Sequence, residues 1–426
     1  LAQSLTATIN TPNKIALVIF DGTAGQRVSL TASNITIPGC PGSRISILKP
    51  DGTELTGANV CSSSIFLDVQ TLPVNGTYTI LVDPNSSATG QATLTLYDVP
   101  PDVSDTITAG GPSVTVTTTT PGQNSKLTFN GTAGQRVSLT ASNITIPGCP
   151  GSRISILKPD GTELTGANPC GSTLFLDVQT LPVNGTYTIL VNPNSSATGQ
   201  ATLTLYDVPA DFTGTITPGG SSVTVTTTTP GQNAKLTFNG TAGQRVSLIA
   251  SNITIPGCPG SRISILKPDG TELTGANPCG STLFLDVQTL PVNGTYTILV
   301  DANGAATGQA TITLYDVPAD VTGPIVPNGD PVTVTITTPG QNANLTFSGA
   351  AGQQVSVLAS GITFPGCPSS RISILKPDGT ELAGTNPCGS SLSLGNQTLP
   401  VAGTYTIRVN PNGANTGSAT LTLTSP

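Results

Sequence analysis

The sequence predicts an all-β protein of four tandem domains, each made of two packed antiparallel sheets, and three observations carry that prediction. First, "GTAGQRVSL" occurs verbatim from Gly22, Gly131 and Gly240 and returns as "GAAGQQVSV" from Gly349, a spacing of 109 residues. Second, the apolar residues alternate with polar ones in short runs and nowhere hold a helical period. Third, the cysteines keep the same spacing, one pair per copy: Cys40 with Cys61, Cys149 with Cys170, Cys258 with Cys279, and Cys367 with Cys388.

A unit of 109 residues is long enough to close its own core, so the repeat predicts a string of domains at 1–100, 101–209, 210–318 and 319–426. Within a copy, "RVSLTAS" and "TYTILVD" alternate as half-buried strands do. "SRISILKPDGTEL" reads as two strands about a Pro-Asp-Gly turn, and "TGQATLTLYDV" closes the unit. A sheet that is apolar on one face must bury it, which predicts a second sheet packed against the first. The 48 glycines and 36 prolines, with only 9% charged residues, agree with short strands joined by turns.

Composition also excludes chemistry. The chain has no histidine, which removes a Ser-His-Asp triad, a Cys-His pair and any His-ligated metal. Asp51 and Glu54 recur in every copy, as Asp160 and Glu163, Asp269 and Glu272, and Asp378 and Glu381. They sit in an exposed turn, where nothing raises a carboxyl pKa for acid catalysis, and Glu54 is expected to face Lys49 across the hairpin. A calcium site at Asp83 and Asp301 is disfavoured because the equivalent positions are Asn192 and Asn410. The expectation is a protein that is not an enzyme and holds no cofactor.

The net charge of −7 and the absence of any Lys/Arg cluster argue against nucleic acid and anionic lipid as partners. No apolar run is long enough for a membrane helix. The chain lacks methionine, and its first residues "LAQS" look like the remainder after signal-peptide cleavage, so export is expected. Paired cysteines in an exported chain read as structural disulfides, each contributing about 3 kcal/mol by loop closure. Asn-x-Ser/Thr sequons such as Asn34, Asn143 and Asn252 make glycan decoration a further expectation.

"LPVNGTYTILVDPNSSATGQATLTL", residues 72 to 96 and repeated from 181 and 290, resembles the bacterial pre-peptidase C-terminal domains found in tandem in large secreted and surface proteins. The resemblance implies a jelly-roll-like β-sandwich with a non-catalytic, accessory or structural role.

The end copies depart from the pattern. "PNKIALVIFDG" opens the first copy where the others have "PGQNSKLTFNG", "PGQNAKLTFNG" and "PGQNANLTFSG". Strand alternation puts Val18 and Phe20 inward and Ile15, Leu17 and Ile19 on the outer face, where the second copy has Asn124, Lys126 and Thr128. Such an apolar stripe invites a partner, unless the tail Leu1 to Thr11 folds back over it.

In the last copy, Phe66, Phe175 and Phe284 become Ser393. Leu81, Leu190 and Leu299 become Arg408, and Tyr97, Tyr206 and Tyr315 become Thr424. These Phe, Leu and Tyr residues are expected to touch the following linker and domain, which the last copy lacks. The linkers "YDVPPD" and "YDVPAD" are short and stiffened by proline.

Together the two ends predict an extracellular structural subunit of a head-to-tail homopolymer, with Ile15, Leu17 and Ile19 meeting Ser393, Arg408 and Thr424. In a sharper form, Leu1 to Phe20 adds as a strand to an open edge of the neighbour's last copy. A monomeric adhesin or stalk spacer, or a carbohydrate-binding accessory array, is the alternative.

Overall fold

Alternating residues at the predicted positions form short strands throughout the computed structural model, which describes residues 3–38, 40, 42–147, 149, 151–256, 258, 260–364, 367 and 370–426. In the first copy these are β1 (Gln3–Ile9), β2 (Ala16–Gly22), β3 (Arg27–Ser33), β4 (Arg44–Leu48), β5 (Glu54–Asn59), β6 (Ile65–Thr71), β7 (Gly76–Asp83) and β8 (Gly90–Asp98). One sheet has the order β1-β8-β3-β6 and the other β2-β7-β4-β5. Both turn their apolar faces to one core, in which Leu30 and Ala32 of the first sheet join Ile47, Tyr78 and Ile80 of the second. Corresponding cores form around Leu139 and Ile156, Leu248 and Ile265, and Val357 and Ile374.

Four discrete, wholly antiparallel jelly-roll-like β-sandwiches are not what the chain forms, and the expectation is corrected on two points. The linkers are not spacers. After β8, residues Val103–Thr106 form β9, which pairs in parallel with β11 (Ser125–Gly131), after the short β10 (Val114–Thr118). Phe212–Thr215 and Val321–Pro324 do the same in the third and fourth copies, giving mixed five-stranded sheets. Nor are the copies discrete. The chain divides into two compact units, Leu1–Pro209 and Ala210–Pro426, each holding two copies whose linker belongs to both. The arrangement is a regular all-β repeat, and within each unit the linker strand that completes one copy is also anchored to the copy before it.

The sequence reads Leu1 to Phe20 as a strand available to a neighbour, and this too is corrected. The described tail is β1, fully paired with β8 from Gln3↔Leu96 to Ile9↔Gly90, and β2 pairs with β7. β1 also lies in the other sheet from Ile15, Leu17 and Ile19, so the tail does not cover that stripe.

Each core is pinned by one buried tyrosine. Tyr187 is fully buried, stacks on Phe129 at 5.4 Å, and donates its hydroxyl hydrogen to the Val183 carbonyl at 2.8 Å. The ring lies so close to β11 that only glycine fits beneath it. A Cβ on Gly131 would stand 2.4 Å from Leu181 Cδ1 and 3.0 Å from the Tyr187 ring. Gly131→Ala should therefore destabilise the second copy by about 1–3 kcal/mol, read as faster amide hydrogen exchange in residues 185–192 with the first copy unchanged.

Candidate functional site

With no histidine, and no cluster of three or more His, Cys, Asp or Glu fit for a metal among the described residues, the chemistry of this chain lies in its surfaces. The recurring carboxylates are occupied locally. Asp51 Oδ1 accepts from the Thr53 backbone at 2.9 Å and hydroxyl at 2.6 Å, and these bonds hold its pKa below the usual value. Glu54 does not face Lys49, as expected, but accepts two bonds from Arg44, at 3.0 and 2.6 Å, which lower its pKa. Lys49 instead lies 4.0 Å from Asp51. The cysteine pairs form the disulfides Cys40–Cys61, Cys149–Cys170, Cys258–Cys279 and Cys367–Cys388.

The recurring site is the junction between copies. Ser29 points away from its own core, between Val28 and Leu30, yet is completely buried. The second copy covers it: Ser29 Oγ donates to the Pro121 carbonyl at 2.7 Å. Gly122 follows in a left-handed turn, φ 86°, and a Cβ there would meet Ser29, Val69 and Asp68 at 3.3–3.4 Å. Beside this contact, Phe66 and Asp68 of the first copy and Gly151 and Asn192 to Ser195 of the second line one cleft. Thr31 stands opposite Phe66, and Tyr97 opposite Ser29, on the same face. The third and fourth copies repeat the contact, with Ser247 Oγ donating to Pro339 at 2.7 Å and Gly340 against Ser247 and Val287.

Charge closes the junction at its side. Asp102, in the linker, accepts from Arg27 of the first copy at 2.7 Å and lies 2.9 Å from Lys126 of the second. Burial alone would raise the Asp102 pKa, but the bonds from Lys126 and Arg27 outweigh it and hold it below 3.8. Gln123 holds the same linker by donating to the Pro101 carbonyl at 2.9 Å.

Among the residues singled out from sequence, Phe66 and Tyr97 lie on the junction face, as do Ser393 and Thr424 at the same positions of the last copy. Phe175, Tyr206, Phe284 and Tyr315 occupy the corresponding strand positions and are half-buried. Leu81, Leu190 and Leu299 do not belong with them. They face out from the other sheet, directly across from Leu17, Lys126 and Lys235. Arg408 in this row has an internal explanation: it donates to Asn344 Oδ1 at 3.1 Å, and Asn344 donates to Asp320 at 3.0 Å. The cation that Lys126 supplies in the second copy has moved one strand over.

Sequence reading missed the turn residue Asn13 and the pair Gly395 and Asn396. Asn13 stands where Gly122 and Gly340 stand, and keeps a left-handed φ of 60°. Gly395 and Asn396 replace Asp68 and Val69, the residues that Gly122 approaches. Aligning the copies position by position carries this signal. On the same face of the last copy Ser356 is part exposed, and Leu358, across from Ser393, is 47% exposed.

No family model and no curated protein matches the chain. Among solved structures, the periplasmic g-type lysozyme inhibitor PliG of Aeromonas hydrophila is 14% identical with a TM-score of 0.19, covering 25% of this chain and all of its own. The CUB1-EGF-CUB2 domain of human MASP-1/3 is 9% identical with a TM-score of 0.18, covering 48% of this chain and 99% of its own. The M60 catalytic domain with CBM51-1 and CBM51-2 of Clostridium perfringens ZmpB is 7% identical with a TM-score of 0.17, covering 97% of this chain and 55% of its own. Likenesses this remote carry no argument about function. The resemblance to pre-peptidase C-terminal domains is corrected: no family model matches the chain. The "LP-x-x-GTYTI" residues that carry it build the Tyr78 turn and β7. Among the described residues no helix is long and apolar enough to cross a membrane.

Because the Asp102 pKa is depressed, its contribution is present at neutral pH and is lost as pH falls below 3.8 through the folded value. Asp102→Asn should weaken the first junction by about 1–3 kcal/mol and abolish its acid sensitivity. Hydrogen exchange at Val103 to Thr106, compared at pH 6 and pH 3, checks both.

Proposed function

We propose that this chain is an extracellular, non-enzymatic structural protein whose subunits join head to tail into a homopolymeric filament, repeating in trans the junction that links copies within the chain. One observation carries the reading: the residues that form the two halves of the junction are altered reciprocally in the first and last copies. At the front, glycine becomes the bulkier Asn13. At the back, Phe becomes Ser393, Asp becomes Gly395 and Val becomes Asn396, which clears space and places an amide where Asn13 would arrive. An internal face meeting Asn13 would crowd it, since even a Cβ on Gly122 is close to Asp68 and Val69. The pattern favours end-to-end joining over a random register. Pro12 would then present its carbonyl to Ser356 as Pro121 does to Ser29. The contact is heterologous, so it propagates unless it closes a ring.

Restoring the internal residues on one side, with Ser393→Phe, Gly395→Asp and Asn396→Val together, should shorten filaments at least about tenfold, about 1.4 kcal/mol per junction. Adding Asn13→Gly to that chain should recover their length. Electron microscopy with light scattering reads both; a native chain that stays monomeric at high concentration favours the stalk reading instead.

A further inference from the structure

We propose that the second and third copies each carry a binding site for a neutral saccharide, in the cleft that the linker leaves where it departs from the edge of its sheet. In the second copy the linker runs beside β11 only as far as Ile107, which donates its amide hydrogen to the Thr128 carbonyl at 3.0 Å. It then crosses to the other sheet, where Gly110 donates to the Leu205 carbonyl at 2.8 Å. The crossing opens a cleft of about 350 Å³ against the end of β11, and the third and fourth copies repeat it at about 280 and 440 Å³.

The cleft has an apolar floor and a polar rim. Ile107, Ala109 and Phe129 form the floor, and the exposed Thr106, Thr108 and Asn130 form the rim. Thr215, Thr217 and Asn239 hold the rim positions in the third copy. Backbone groups of alternate residues point to the same side of a strand, so the amide and carbonyl of Asn130 follow those of Thr128 toward the side that the linker has left. Asn130 Oδ1 accepts from Thr186 Oγ1 at 3.1 Å, and Asn239 Oδ1 accepts from Thr295 Oγ1 at 3.1 Å, which leaves each Nδ2 as a donor for a ligand.

These groups select the ligand. The amide and carbonyl of a single residue are too few for an added strand, which needs a run of them. They match adjacent hydroxyls, each of which both donates and accepts. No charged residue lines the cleft in any of the three copies, so nothing there would pair with a phosphate, a carboxylate or an amine. An apolar floor beneath a few placed polar groups suits the C–H face of a sugar ring, and the volume lies at the small end of ligand sites.

The fourth copy separates this rim from the demands of the fold. It forms the same cleft with Pro324, Val326 and Ser348 at the rim positions. The shape therefore survives without the two threonines and the asparagine, and the polar rim belongs to the second and third copies alone.

The test uses the full chain with cellotetraose, maltotetraose and chitotetraose, and with an oligogalacturonate as the charged control. At least one neutral oligomer is expected to bind two per chain by calorimetry, and to slow amide exchange around Thr128 to Asn130 and Thr237 to Asn239 but not around Thr346 to Ser348. Placing the fourth copy's rim in the second, with Thr106→Pro, Thr108→Val and Asn130→Ser, should lower the count from two to one. The reverse exchange, Pro324→Thr, Val326→Thr and Ser348→Asn, should raise it to three. No saturable binding of any neutral oligomer up to about 10 mM, equal binding of the oligogalacturonate, protection elsewhere, or a count that neither exchange moves would overturn the proposal. So would sugar found by mass spectrometry already attached to Asn130 or Asn239, since it takes the rim donor.

Discussion

Everything in this array depends on the linker being shared. A segment of about ten residues leaves β8, passes a proline-stiffened corner, and immediately becomes structure in two copies. Asp102 binds Arg27 behind it and Lys126 ahead of it, and β9 then seals the edge of the second copy. Hydrogen-bonded strand pairing and a part-buried ion pair fix the joint more firmly than a flexible spacer of equal length would. The buried Ser29 shows the consequence: a residue facing away from its own core has no exposed surface, because the next copy's turn sits on it.

This sharing explains why the end copies can be told apart. Within a unit the later copy needs a polar grip for the linker entering it, and the earlier copy a shaped face for the turn that follows it. Within residues 1–426 the first copy's β2 edge meets no linker strand and the last copy's face meets no turn. At both places the sequence has moved in a particular direction. It becomes apolar along β2, while side-chain bulk falls at Ser393 and Gly395 and an amide appears at Asn396. Ile15, Leu17 and Ile19 lie along the strand edge, and Ser393, Gly395 and Asn396 on the face, that other copies use for contact.

Much of this was legible without coordinates. The period, the cysteine pairs and the alternation of Val18 and Phe20 against Leu17 and Ile19 are local or periodic signals, and strand geometry turns them directly into faces. The linker strands were not legible. Val-Ser-Asp-Thr and Val-Thr-Gly-Pro are four residues long and contain strand-poor Asp, Gly and Pro, so they exist as strands only because an edge is there to receive them. Grouping Leu81 with Phe66 failed for a related reason: alternation tells which side of a strand a residue faces, but not which of two sheets the strand joins. Asn13 and Gly395 were hidden by chemistry of another kind, since a change to or from glycine at a turn looks neutral until the approaching backbone is known.

The first copy's edge poses a physical problem that separates two accounts of its apolar stripe. An uncovered edge strand is normally blunted with lysine, proline or an inward charge, because bare amides and carbonyls recruit other strands. The internal copies already possess such a residue at the position of Leu17, in Lys126 and Lys235, so the protective solution is present in the chain itself. The first copy has discarded it, and has replaced the neighbouring Asn and Thr with isoleucine as well. A solitary edge would gain nothing from that exchange and would become prone to aggregation. An edge that is covered in the working state gains buried apolar area at each of the three positions, and the half-buried Val18 and Phe20 beneath it gain the lid that Ile107 gives their counterparts.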